Sequence, residues 1–430
     1  MGPRWPAQHW RIGAICEPAL IVRRLIRHRG QKRLETGAPS LSKDRARRSD
    51  IDMGQEMTFS DRAKGLLPKP LCAAALALLV GCAPIPELVG IDNPDVPVGS
   101  VEGATLKKVF IASTRQETEA AGALFSAARA PELGLASVQV SIPPTHEIGE
   151  LERPSYLPPD PRTEFAVVDP VVYNGDRSFI NAVNAELRKR PPGKRNVLFF
   201  VHGYNNTTSD AILRLAQFSH DTGFEGVPVL FDWASAASVT RYVYDLNSAL
   251  IARPKIPEIS QIMLNTQAEG IDIFAHSMGS FLTMEAIKDA SLTGRFNRYG
   301  RLNSITLASP DIDMDLFRSQ LSQINLTLDR FYVLLSEDDS ALRFSRRLAG
   351  GVPRVGAADI DELSDLGVTA IDLSEVDNSK SGSHSKFAGS PEVVQLIGNG
   401  LNSANAIEGR ARNRTLREMI GEVPITIAFE

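Results

Sequence analysis

A chain of 430 residues, 43% hydrophobic and 23% charged, holds enough apolar material for one large core or two ordinary ones. Its formal net charge of −4 excludes a whole-chain attraction to nucleic acid. The three cysteines, Cys16, Cys72 and Cys82, all precede residue 83, which excludes an internal disulfide or a thiolate metal site from the remainder. Residues 1–56 are rich in Arg and Lys without sustained periodicity. They read as a disordered basic arm or as sequence translated ahead of the true start.

Residues 57–82 have the layout of a signal peptide. Arg62, Lys64 and Lys69 supply a basic region, and Leu71 to Val80 is an apolar run too short to span a bilayer comfortably. The run ends in Leu79-Val80-Gly81-Cys82, which resembles the bacterial lipobox, implying cleavage before Cys82 and lipidation of it. Membrane attachment through that lipid anchor is therefore expected, at the cell envelope and on the periplasmic face of the outer membrane. Residues 83–104, rich in Pro and Gly, read as a tether. The folded domain is expected over 105–405, with 406–430 as a C-terminal tail.

Within the domain, KKVFIAST, ASVQVSIPP and EFAVVDP read as strands, and 177–190 as a helix. NVLFFV is a buried strand ending in His202-Gly203-Tyr204. SDAILRLAQFSHDTGF follows as a helix with Ser209 or Asp210 as its N-cap. VPVLFDWAS is another strand, and 241–268 is helical with a break at Pro254 and Pro257, the stretch expected to serve as any lid. Next come IDIFA, a sharp turn at His276-Ser277-Met278-Gly279, and a helix. SITLASP, RFYVLLS and VTAIDLS are strands, VTAIDLS the last of them, alternating with the helices MDLFRSQLSQI, SALRFSRRLAG and PEVVQLIGNGL. Apolar strands alternating with helices predict a mostly parallel central sheet with helices on both faces. There is no P-loop and no G-x-G-x-x-G; Thr145-His146-Glu147 opens no zinc helix, because position 150 is Glu150. No metal or organic cofactor is expected.

A serine between a buried strand and a helix is the pattern of the nucleophile elbow of α/β-hydrolases, here spelled Ala275-His276-Ser277-Met278-Gly279. An attacking hydroxyl needs a base, and the base needs an orienting acid. On this fold the order is Ser, acid, His, and His384 is the only histidine after Ser277. Asp339, last in its loop, is the preferred acid; Asp311, Asp313 and Asp338 are alternatives, and Asp311 can equally be a helix N-cap. The backbone N–H groups of Met278 and Tyr204 are the expected oxyanion donors. His202 is expected to shape its loop, His276 to pack, and His220 to cap a helix. Trp233, Tyr242 and Tyr244 read equally as acyl-pocket lining or as core.

Taken together, VFIASTR, VSIPPTHEIGELERP, VLFFVHGYNNT, LFDWAS, YVYDLNSA, IDIFAHSMG, LASPDID, SEDDSALRFSRRLAG and the GSHS loop resemble a bacterial α/β-hydrolase family of unknown function, the domain of unknown function 900. The resemblance spans about 105–400 and implies a hydrolase fold with Ser277, Asp339 and His384 in the triad positions. It implies no substrate. The expected activity is ester hydrolysis through an acyl-enzyme, on a small-molecule or lipid ester. An amidase or peptidase with the same triad, or a non-catalytic envelope binder on the same scaffold, are the alternatives.

Overall fold

The computed structural model describes residues 86–324, 330–376, 382–402 and 425–428. The basic arm, the lipobox with Cys82 and most of the expected tail lie outside the described residues.

The strands are β1 (Thr105–Glu117), β2 (Phe125–Ile142), β3 (Ala166–Val172), β4 (Val197–Val201), β5 (Val227–Asp232), β6 (Ile271–His276), β7 (Leu302–Ala308), β8 (Phe331–Leu335), β9 (Thr369–Asp372) and β10 (Thr426–Ala428). They form one ten-stranded sheet in the order β10-β9-β8-β7-β6-β4-β5-β1-β2-β3. Every neighbouring pair from β1 to β9 is parallel. β2 and β3 continue one side antiparallel, and β10 closes the other side antiparallel.

The apolar runs become interior strands because both faces are covered. Along β4, Val197, Phe199 and Val201 enter one core while Leu198 and Phe200 enter the other. The first core is covered by α1 (Asp176–Leu187), α3 (Tyr242–Ala252), α4 (Lys255–Leu264), α5 (Met278–Leu292) and α6 (Met314–Leu321). The second is covered by α2 (Thr208–Asp221), the short α9 (Lys386–Gly389) and α10 (Pro391–Asn402). Two further helices, α7 (Ser340–Leu348) and α8 (Ile360–Ser364), follow β8. Among the described residues no helix is long and apolar enough to cross a membrane.

Four details differ from the expectations. VTAIDLS is not the last strand: Thr426, Ile427 and Ala428, inside the expected tail, pair with Asp372, Ile371 and Ala370. Three residues are too few to carry a period. Residues 86–91, inside the expected tether, are seated on the domain: Leu88 is fully buried, its N–H donates to Ser209 Oγ at 2.9 Å, and Val89 bridges Gly122 and Val167. Helix α2 is capped by Thr207, not by Ser209 or Asp210, because Thr207 and Asp210 each accept the other's backbone N–H, at 3.1 Å both ways. The stretch 241–268 is no detached lid, since Ala249, Ala252, Ile259 and Met263 are built into the core. Its break falls at Arg253-Pro254, and Pro257 sits in the first turn of α4, where its missing N–H costs nothing.

Candidate active site

Ser277 stands between the end of β6 and the start of α5 with φ 53° and ψ −123°. A non-glycine residue held there stores of the order of 1–3 kcal/mol of strain, which its surroundings must over-determine. They do so through the main chain. Ser277 N–H donates to Ala308 O at 2.9 Å, and Ser277 O accepts from Ser280 N–H at 2.9 Å and from Asp311 N–H at 3.2 Å. Two glycines let the β4 loop close on this turn. A Cβ on Gly279 would lie 2.4 Å from His202 O, and one on Gly203 would lie 2.9 Å from Ser277 Cβ. The loop 202–206 is thereby pressed against the serine.

Parallel strands deliver the other candidates to the same sheet edge. After β8, Asp339 caps α7, its Oδ1 accepting from Leu342 N–H at 3.0 Å. Its Oδ2 accepts from His384 Nδ1 at 2.6 Å, and its side chain is fully buried while that of His384 is 23% exposed. With Nδ1 donating, Nε2 is the free base of the neutral ring. The His384 main chain is anchored as well, its carbonyl accepting from His276 Nε2 at 3.2 Å. Burial drives the His276 pKa well down, the neighbouring His384 adding to this, so His276 is neutral. Among the described residues the Ser277 hydroxyl makes no hydrogen bond, to His384 or to any other group.

The other acids are engaged elsewhere. Asp313 caps α6. Asp311, which is buried, accepts from Tyr242 Oη at 2.9 Å and from Ser345, and lies 3.3 Å from Arg354 Nε. Burial, with the Asp311 charge beside it, raises the Tyr242 pKa. Asp338 pairs with the buried Lys386 Nζ at 3.0 Å. Burial works against the Asp338 charge, but hydrogen bonds from Ser336 and Lys386 outweigh it and hold the carboxyl below its usual range.

Beneath the β4 loop lies an ion pair that the sequence reading did not single out. Arg115 Nε meets Asp232 Oδ1 at 2.7 Å, with both side chains buried. The same guanidinium donates to Ser235 O at 2.7 Å and to Asn206 O at 2.9 Å. Ser113 and Thr208 hydroxyls donate to Asp232 Oδ2, each at 2.9 Å. Burial opposes the Asp232 charge, yet Arg115 and His202 hold its pKa down at about 2. His202 stacks on Trp233 with ring centroids 5.1 Å apart, and Trp233 Nε1 donates to His202 O at 2.7 Å. Trp233 and Tyr242 are therefore core residues, and Tyr244 Oη reaches Ala127 O. The available signal was one charge of each sign at the ends of two apolar runs, VFIASTR and VLFD, which pair as β1 and β5.

His146, His220 and Asp221 stand close enough to hold a metal ion, but both His146 nitrogens are spent, on Glu152 at 2.8 Å and Asp221 at 2.7 Å. A cavity of about 640 Å³ opens between α4 and α5 at the start of β6, lined by Ile271, Ile287 and Leu302; Ser277, Asp339 and His384 do not line it.

A mostly parallel sheet clothed by helices on both faces, with a strained serine between a central strand and its helix, defines an α/β-hydrolase. The chain belongs to the family described as alpha/beta hydrolase of unknown function (DUF900), whose model matches residues 176–400, more than half of it. No curated protein matches the chain. Among solved structures it is similar to a Trichoderma reesei cutinase in complex with a C11Y4 phosphonate inhibitor, at 13% identity and a TM-score of 0.24, covering 35% of this chain and 64% of the cutinase. It is also similar to a hyperthermophilic esterase from the archaeon Pyrobaculum calidifontis, at 15% identity and a TM-score of 0.31, covering 50% of this chain and 79% of that one.

Proposed function

We propose that the protein is a serine hydrolase that cleaves carboxylic esters through an acyl-enzyme. The observation that carries this reading is the 2.6 Å hydrogen bond from His384 to Asp339, made at the sheet edge where Ser277 is held in its strained turn. In this reading Ser277 Oγ attacks the ester carbonyl while His384 Nε2 takes its proton. Asp339 keeps the proton on Nδ1 and stabilises the imidazolium. The N–H groups of Met278 and Tyr204 receive the developing oxyanion. His384 then returns the proton to the leaving alcohol, and water attacks the acyl-enzyme by the same route.

A fluorophosphonate probe tests the reading directly. It is expected to label the full chain at Ser277 and to leave Ser277→Ala unlabelled; folded wild-type protein that resists the probe would sink it. Comparing p-nitrophenyl esters with matched anilides separates an esterase from an amidase. We place the protein at the cell envelope, attached through lipid on Cys82. Cys82→Ser is expected to release it from membranes, and wild type already found in the soluble fraction would overturn the anchor.

A further inference from the structure

Except at Asn247, the outer face of α3 is apolar, where a surface helix should be polar throughout. Val243 is 69% exposed, and Leu250 and Ile251 on the same outward side are 40% and 50% exposed. Just before α3, Val239 is 56% exposed. Helix α7 is joined to α3 beneath the surface, where the buried Tyr242 Oη and Ser345 Oγ share a hydrogen bond of 3.0 Å. It buries only Leu342 and Ser345 and turns Phe344 and Leu348, one helical turn apart, to solvent. Its neighbouring flank carries Arg343 and Arg347 at the same spacing, with Arg346 between them. Arg347 has no hydrogen-bond or ion-pair partner among the described residues, Arg343 reaches only the Glu337 carbonyl, and Arg346 the Gly351 carbonyl. Arg241 adds a fourth exposed guanidinium, over the Tyr244 ring. Among the described residues the exposed acids beside them are Glu337 and Glu375, the latter just after Ser374, whose hydroxyl accepts from Glu337 N–H; Asp338 is spent on Lys386 and Asp245 is buried.

This patch frames the candidate site. Asp339 is the cap of α7, and Tyr204 Oη donates to the Val239 carbonyl. Contiguous exposed apolar side chains mark an interaction surface. An apolar stripe beside unpaired guanidiniums is complementary to a bilayer, acyl chains meeting the apolar groups and anionic headgroups meeting the cations.

We infer that the face formed by α3 and α7 docks on an anionic lipid bilayer, with the mouth of the Ser277 site turned toward the lipid. The docking face stands by itself. Only its corollary, that the substrate is a lipid ester drawn from that bilayer, rests on the proposed function.

The test uses the full chain with Cys16, Cys72 and Cys82 replaced by Ser, which also removes any lipid anchor. An environment-sensitive dye is attached through Val243→Cys, and in a second preparation through Leu292→Cys, which is 64% exposed at the far end of α5. With vesicles containing phosphatidylglycerol, the dye at 243 is expected to brighten several-fold and shift to the blue. The dye at 292 should not respond. Pure phosphatidylcholine vesicles or high salt should weaken the response at 243. Adding Arg343→Glu and Arg347→Glu should abolish it, while hydrolysis of a soluble short-chain ester stays unchanged. A dye at 243 that remains in water beside bound vesicles, as it would if the face served a protein partner, overturns the inference. So does an equal response at 292. Loss of ester hydrolysis in every preparation would count against the proposed function alone, because the dye readout needs no catalysis.

Discussion

The loop after β4 and the loop that carries His384, which follows β9, reach Ser277 from strands on opposite sides of β6, and different physics holds each in place. The β4 loop rests on the Arg115–Asp232 pair and the His202–Trp233 stack, all fully enclosed. The His384 loop is pinned by side chains that partly reach water: Lys386 is enclosed, but its partner Asp338 is 40% exposed and His384 itself 23%. The first arrangement suits a group of fixed dipoles, which serves an oxyanion only if it does not reorganise as charge develops. The second suits a base, which must adjust to a substrate and pass a proton. The difference predicts that damage on the β4 side shows first as lost stability, and damage on the His384 side first as lost rate.

Asp339→Asn should produce the largest effect and sharpens the contrast most. Asn caps a helix as well as Asp does, so α7 should survive and the melting temperature should barely move. The Nδ1 proton would lose its acceptor, and the wrong tautomer would face Ser277. The expected fall in kcat on a p-nitrophenyl ester is about 10⁴-fold. A fall of less than about tenfold would remove Asp339 from the chemistry.

Asp232→Ala probes the other side. It leaves the Arg115 guanidinium buried without its counter-charge, a change that typically costs about 3–5 kcal/mol. Urea unfolding should report that loss, ahead of any selective loss of rate. Acid titration gives the same group a signature. Its carboxyl is held down at about 2, below the ordinary 3.8, despite burial pushing the other way. The stability it contributes is therefore complete above the ordinary value and lost as pH falls through about 2. A stability gap between wild type and variant that does not shrink as pH falls from about 4 toward 2 would deny Asp232 that role.

Much of this architecture was legible beforehand, for identifiable reasons. The central strands are unbroken apolar runs, which only a sheet buried on both faces requires, and the elbow is a local turn that five residues define. Strand direction was not legible: β1, β2 and β3 read correctly as strands, but nothing in an alternating pattern says that β2 and β3 run antiparallel to their neighbours. Asp311, Asp313, Asp338 and Asp339 all follow strands of the same sheet. Only the three-dimensional contact separates the residue facing His384 from one helix cap, Asp313, and two ion-pair partners, Asp311 and Asp338. His276 was expected to pack. Its hydrogen bond to the His384 carbonyl joins positions 108 apart, a separation that no local pattern spans.

That bond carries the third prediction. His276→Phe keeps a ring but removes the donor that holds the His384 main chain. A neutral hydrogen bond contributes about 1 kcal/mol, so kcat should fall about fivefold with KM little changed. His276→Gln, which can present an N–H at similar reach, should recover most of the rate. If Phe and Gln behave alike, the tether is only packing.

The smallest effect lies on the far face and depends on pH. His146 bridges Glu152 and Asp221, and Asp221 also accepts from Gln217 Nε2, which in turn donates to Ala388 O in the helix just after the His384 turn. Burial opposes the His146 charge, but the hydrogen bonds and charges of Asp221 and Glu152 outweigh it and raise its pKa above the usual 6.5. The adjacent His220 is pushed the other way, downward, mainly by burial. A raised histidine pKa gives stability that is fully present below the unfolded value and is lost as pH rises through the folded one. The stability gap between wild type and His146→Gln should therefore be widest near pH 6 and narrow steadily toward pH 9, read from urea midpoints. A gap that stays constant over that range would mean that the ring bridges the two carboxylates without carrying a charge. The hold on Ala388 would then owe nothing to the proton.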